Sequence, residues 1–271
     1  LQNLIPPVTY QGAKVRIAAD IVDKINTNNT RWFCDVCCGS GAISLELIGR
    51  GYKPQNIYMI DEGPWGKFWE DIGDGIFSID KLEYYCKQIP KNLDLIKDFM
   101  LELSKQSAST DTSQVFLLLQ ASSFGGKAIW IEDDKWRNCS FRSFWKPTAY
   151  SKRRSTVNPM MPMPTTLLKR VELILSNMRG VKGFYDNCLN VKLPESSVVY
   201  IDPPYNNRTN YGPKLNVLRY INSLKQTCYC SEGRPLNNDN EAWLISKGRN
   251  KGGISGNRIV NSNQEWLTKF H

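Results

Sequence analysis

The sequence predicts an α/β fold built on an open, mostly parallel sheet, and three observations carry that expectation. The run Val198-Val199-Tyr200-Ile201 is β-branched or aromatic and breaks into Asp202-Pro203-Pro204-Tyr205. This reads as a buried strand that stops abruptly and presents a carboxylate and an aromatic ring at its carboxyl end, where an open α/β sheet binds its ligands. A second apolar run, Trp32 to Cys38, passes through Gly39-Ser40-Gly41 into a helical stretch, Ala42 to Ile48. A third, Asn56 to Ile60, ends in Asp61-Glu62, at about the 20-residue distance from the glycines at which a carboxylate reaches a ribose hydroxyl. Strand, glycine turn, helix and acid-tipped strand form half of a nucleotide-type binding unit, in which absent side chains let a ligand approach the backbone near a helix N-terminus.

Composition narrows the function classes. At 271 residues and 41% hydrophobic the chain has room for one large α/β domain or one domain carrying an insertion. No apolar run approaches a membrane span. Lys and Arg number 35 against 26 Asp and Glu, a net charge of +9, which favours a polyanionic partner. The single histidine is His271, which argues against His-based acid, base or nucleophilic schemes. Cys34-x-x-Cys37-Cys38 has no second cysteine pair at suitable spacing, so no metal site is expected. No leading signal segment is legible, and free thiols in a reducing cytosol are expected.

The remaining elements follow in order. Tyr10-Gln11-Gly12-Ala13-Lys14 is a glycine turn, and Val15, Ile17, Ala18, Ile21, Val22 and Ile25 carry the spacing of an amphipathic helix. From Pro64 to about Gln120 the pattern is helical, with no obvious strand of the main sheet, and reads as the start of an inserted lobe. Residues 128–131 and 138–141 flank Asp133-Asp134-Lys135 as a hairpin. Around it lie Lys127, Lys135, Arg137, Arg142, Lys146, Lys152, Arg153 and Arg154, interleaved with Trp130, Trp136, Phe141, Phe144, Trp145 and Tyr150. Cations that reach phosphates and rings that stack on bases equip a nucleic-acid face, although about half of these rings are expected in the lobe's own core.

An extended connector, 157–164, leads into a helix at Thr166–Met178. Asp186 follows, placed to edge the pocket. Beyond Tyr205 come a polar loop, a helix near 215–224, and strands at 227–232, 242–245 and 265–270. Between the last two strands, the basic stretch 247–253, with Arg249, offers a further phosphate contact.

Taken in order, Tyr10–Lys14, Cys37–Gly41, a long insertion and Asp202–Tyr205 resemble the Dam-type DNA adenine methyltransferases, the α-ordered group of S-adenosylmethionine-dependent amino-methyltransferases. The resemblance covers nearly the whole chain. It implies a Rossmann-like S-adenosylmethionine-dependent methyltransferase sheet, formed by residues 1–63 and 179–271, with an inserted helical and hairpin target-recognition lobe at 64–178. It further implies that Tyr10, Lys14, Cys38, Gly39 and Gly41 line the methyl-donor site, that Asp61 holds the ribose hydroxyls and that Asp186 lies near the donor's adenine. The chain departs from the family pattern at Ala13, Cys37, Ser40 and Asn187.

By the same resemblance, Asp202 and the Pro203 carbonyl accept the protons of a flipped-out adenine N6 while Tyr205 stacks on the base. Double-stranded DNA is the expected partner, through Lys127, Arg137, Arg142, Lys152, Arg153, Arg154 and Arg249. S-Adenosylhomocysteine is the expected product, and the expected setting is the prokaryotic or phage-infected cytoplasm. Asp202 offers only acceptors, which cytosine N4 or an RNA adenine also satisfy. A nucleic-acid-binding module of the same fold without activity is the rival from another class. Asp at the first position of the motif favours adenine N6 by resemblance.

Overall fold

Continuous apolar runs suit strands covered on both faces, and the central strands are of this kind. The computed structural model describes residues 4–203, 215–236, 241–247, 251–252, 258–259 and 264–271. Along the chain run α1 (Ala18–Val22), β1 (Trp32–Val36), α2 (Ala42–Gly49), β2 (Ile57–Asp61), α3 (Pro64–Asp74), α4 (Ile79–Gln88), α5 (Ile96–Leu103) and α6 (Thr112–Ser122). There follow β3 (Trp130–Glu132), β4 (Lys135–Arg137), α7 (Pro164–Met178), β5 (Lys182–Tyr185), β6 (Ser197–Ile201), α8 (Val217–Ser223), β7 (Thr227–Glu232) and β8 (Ala242–Ser246). The short pair β9 (Lys251–Gly252) and β10 (Arg258–Ile259) precedes β11 (Glu265–Phe270).

Seven strands form one Rossmann-like sheet in the order β5-β2-β1-β6-β7-β11-β8. Neighbours from β5 to β7 pair in parallel, and β11 runs antiparallel to both β7 and β8. The antiparallel strand therefore lies one place in from the edge. From β1 the chain builds outward through β2 to β5, and from β6 the other way to β7. The switch point thus falls between β1 and β6, where such sheets hold ligands. Val36 pairs with Ile201, and the ladder continues as Asp202 N–H donates to the Val36 carbonyl at 3.1 Å. The same register brings the Cys37–Gly41 loop alongside Asp202.

Alternate residues of the central strands feed two cores. Phe33, Met59, Val198 and Tyr200 face one, together with Phe68, Leu82, Met100, Phe116, Met160 and Ile174 from the helices and the connector before α7. Cys34, Val36, Val199 and Ile201 face the other, with Tyr220 and Ile221 of α8. The helices from α3 to α7 therefore share a core with the sheet. Helix α3, inside the stretch read from sequence as an inserted lobe, packs against β2 and β5. A Cβ on Gly183 would lie 2.1 Å from the Glu70 amide nitrogen, so only glycine permits this approach of helix to strand.

Two local readings change. The first helix is confined to Ala18–Val22, because Lys14 is drawn into the site described below and the residues ahead of the helix, 11–12 and 15–17, form turns. The hairpin pairs Trp130–Glu132 with Lys135–Arg137 rather than with 138–141. Asp133 and Asp134, both at positive φ, make the two-residue turn whose twist matches paired strands. Among the described residues no helix is long and apolar enough to cross a membrane.

Candidate active site

A cleft of about 430 Å³ opens at the switch point, within the size range of small-molecule sites. Its walls come from the Tyr10–Lys14 turn, the Cys37–Ser40 loop, the Asp61–Trp65 turn after β2, residues 128–131, Asp186–Cys188, and Asp202–Pro203. Gly39 lines it, and Gly41 follows in the same loop. Gly39 has φ +47°, and a Cβ there would sit 3.0 Å from the Tyr10 ring. Gly41 has φ +72°, and a Cβ there would lie 2.5 Å from Trp69 and 2.7 Å from Met59. The Trp69 indole N–H donates to the Gly39 carbonyl at 2.9 Å, tying the loop to α3. Tyr10 meets Trp65 edge-on at 5.6 Å.

The acids around the cleft play different parts. Asp61 accepts the Gly39 N–H at 2.9 Å through one oxygen and the Gly63 N–H at 2.8 Å through the other, so its clearest task is to hold the glycine loop. Burial pushes its pKa up to about 6, against the opposing pull of those two N–H groups. Asp35 is fully buried on β1 and accepts from Ser44 Oγ at 2.6 Å. Burial raises it to about 7, with Asp202 adding to the shift. Glu62 is exposed at the rim, where the Asn187 amide donates to it at 2.8 Å. Asp186, also exposed on the rim, accepts from the Asn187 N–H at 2.7 Å and the Asn190 amide at 2.8 Å.

The centre of charge is Lys14. Its ammonium, 7% exposed, sits 2.7 Å from Asp202 Oδ1 and 3.5 Å from Glu265 Oε1, and donates to the Gly12 carbonyl at 3.3 Å. Burial works against its charge, but the two carboxylates prevail and its pKa is raised. Asp202 is also raised, by burial, with the Lys14 ammonium opposing. Among the described residues Asp202 Oδ2 has no hydrogen-bond partner.

Tyr10, Lys14, Cys38, Gly39, Asp61, Asp186, Asp202 and Pro203 therefore line one cleft, whereas Gly41 is not among its lining residues and packs against Trp69 and Met59. Tyr205 and Arg249 fall outside the described residues. Among the described residues none of the cations assigned to DNA lines the cleft, although Lys127 adjoins Ala128, which does. Lys127, Lys152, Arg153 and Arg154 are exposed, and Arg137 pairs with Glu132 at 3.0 Å. Arg142 is a correction: it is 8% exposed and buries an unpartnered Nη1, so it does not stand on the surface with the others. Trp136 and Phe141 belong to the core, whereas Tyr150 is 97% exposed and Lys146 lies over the Phe144 ring at 5.6 Å.

Sequence spacing singles out neither Trp65 nor Glu265, and it does not set Glu62 apart. Glu62 was read together with Asp61, and only the backbone bonds of Asp61 separate the two. Glu265 is 63 positions beyond Asp202 and has no local signal.

A curated relative matches this chain. The Type II methyltransferase M.VspI of Vibrio sp. (strain 343) is 26% identical over 185 residues, a match covering 59% of this chain and 45% of that protein. Over part of its length this chain is similar to a methyltransferase. It spans under half the length of that relative, and its seven-stranded sheet is the Rossmann-like methyltransferase fold. No family model matches. Among the described residues no group of three or more His, Cys, Asp or Glu side chains is placed to hold a metal ion.

Proposed function

We propose that the chain methylates adenine N6 in double-stranded DNA with S-adenosylmethionine as donor. The observation that carries this reading is a half-buried Asp202 at the carboxyl end of β6, beside a cleft lined by Gly39 at the switch point, with Oδ1 engaged by Lys14 and, among the described residues, Oδ2 without a hydrogen-bond partner. The name of the Vibrio relative supports methyl transfer, and the net charge of +9 supports a nucleic-acid acceptor.

The residues of the cleft fit the donor. The glycine backbone gives the close approach that a nucleoside needs, Tyr10 and Trp65 supply flat apolar walls, and the Glu62 carboxylate, one oxygen of which accepts the Asn187 amide, has its other oxygen to accept from ribose hydroxyls, with Asp61 beside it. When bound, S-adenosylmethionine supplies an electrophilic methyl carbon and leaves as S-adenosylhomocysteine.

The chain's own residues then act on the acceptor. Adenine N6 is a poor nucleophile because its lone pair is delocalised into the ring. Asp202 Oδ2 and the Pro203 carbonyl accept its two N–H groups, favour a more pyramidal nitrogen and stabilise the positive charge that develops there. The Lys14 ammonium favours the carboxylate form of Asp202 and opposes the effect of burial. The base must leave the duplex to reach this depth, and Tyr205 is assigned the stacking lost on extrusion. Lys127, Arg137, Lys152, Arg153, Arg154 and Arg249 are assigned phosphate contacts. A prokaryotic or phage-infected cytoplasm and a place in a restriction-modification system belong to the same reading.

Calorimetric titration of the purified chain with S-adenosylmethionine tests the reading. Saturable one-to-one binding that is weakened in Glu62→Ala is the expected result. Absence of binding defeats it in favour of a nucleic-acid-binding module without activity.

A further inference from the structure

The carboxylate of Glu265 has no part in the mechanism above, yet it is 9% exposed and faces the most buried cation of the site. It stands at the start of β11, where the register to β8 shifts between Glu265 and Trp266. Bulges of this kind re-aim a side chain and are common beside active sites.

Among the described residues Lys14 is therefore held by the end of β6 through Asp202, by the start of β11 through Glu265, and by its own turn through the Gly12 carbonyl. An ammonium has three protons and no preferred plane, so with Asp202 as its sole carboxylate it is free to straddle both carboxylate oxygens. That arrangement would occupy the acceptor meant for the substrate amine.

We infer that Glu265 is a positioning residue: by sharing the Lys14 ammonium it confines that ammonium to Oδ1 of Asp202 and leaves Oδ2 to the incoming amine. The inference rests on the reading of Asp202 as the amine's acceptor. Among the described residues, the charged and titratable groups around Lys14 are Asp202 and Tyr200 from β6, Glu265 from β11, and Glu232 and Cys230 from β7, with Asp35 of β1 beyond Asp202. Burial alone would lower the Lys14 pKa, and Asp202 and Glu265 together reverse that. Removing one of the two carboxylates therefore moves the alkaline loss of the ammonium to lower pH.

The test uses Glu265→Gln and Glu265→Asp in the full chain, with two readouts. The first is the pH profile of kcat with the donor KM. Glu265→Gln is expected to lower kcat by about tenfold to a hundredfold, the scale of a small misplacement of reacting groups, to leave the donor KM near wild type, and to shift the alkaline limb of kcat downward. The second is competitive labelling of lysines with acetic anhydride across pH, read by peptide mass spectrometry. This follows the Lys14 titration without any need for methyl transfer. The Lys14 midpoint should fall in Glu265→Gln and fall less in Glu265→Asp.

A loss of kcat with the Lys14 midpoint unmoved would reduce Glu265 to a structural role and overturn the inference, as would an unchanged kcat. Should Glu265→Gln fail to fold, Glu265→Asp decides on the same criteria. A wild-type chain that transfers no methyl group defeats the functional reading, and the labelling midpoints still decide whether Glu265 holds Lys14.

Discussion

Asp202→Asn separates the chemistry of the site from its architecture. Asp202 gives Oδ1 to Lys14 at 2.7 Å, in a place where the lysine is 7% exposed, and leaves Oδ2 toward the cleft. The amide keeps the shape and one acceptor, so Lys14 retains a hydrogen bond there and its contact with Glu265 at 3.5 Å. The usual cost of breaking a buried pair, about 3–5 kcal/mol, is therefore an upper bound, and a loss of about 1–3 kcal/mol for a weakened charged hydrogen bond is expected. Catalysis suffers more. The open oxygen becomes an NH₂ donor aimed at the substrate's own N–H groups, and one preorganised interaction of this kind is worth about 100- to 1000-fold in kcat. Steady-state methyl transfer from labelled donor to DNA, with circular dichroism of the same preparation, measures both. A folded Asp202→Asn protein working at the wild-type rate would refute the role.

Three further outcomes follow from the geometry. Gly41→Ala introduces a Cβ 2.5 Å from Trp69 at φ +72°, and left-handed strain plus overpacking should cost about 2–5 kcal/mol in urea unfolding; a change within error of zero would contradict the packing. Asp35 is pushed up to about 7 by burial, above its unfolded value, so it contributes stability at low pH that is lost as pH rises toward 7. Asp35→Asn should remove this loss, and its stability relative to wild type should improve between pH 4 and 7 by on the order of 2–4 kcal/mol; parallel pH–stability curves would show that the group titrates normally. Neutralising Lys152, Arg153 and Arg154, with the buried Arg142 left intact, should flatten the dependence of log DNA affinity on log salt by up to about 2.7, or about 0.9 per phosphate contact; an unchanged slope would mean that these cations only solvate the surface.

The order of the central elements was legible because buried parallel strands and glycine turns leave strong local marks. β1, β2, β6 and β7 lie where the apolar runs place them, and the acid-tipped ends of β2 and β6 do meet in one cleft. What escaped was non-local. Strand β5 is four residues with Gly183 near its centre, a weak strand signal that becomes a sheet edge only because α3 lies against it. Helix α3 carries a helical pattern equally at home in a lobe or on a sheet. Arg142 sits among surface cations in sequence, and only the packing around Phe141 and Ser122 buries it. The Lys14–Asp202–Glu265 contact joins three distant segments, and no spacing rule reports such a meeting.

The proposed role of Asp202 is to present an acceptor to an exocyclic amine of a nucleobase in DNA. Its most direct test is to incubate the chain with S-adenosylmethionine carrying a labelled methyl group and with separate DNA and RNA substrates, digest each to nucleosides, and identify the labelled product by mass. Label recovered from DNA as N6-methyladenine, and abolished in Asp202→Asn, is the predicted result. Label recovered chiefly as N4-methylcytosine, or only from RNA, would contradict it.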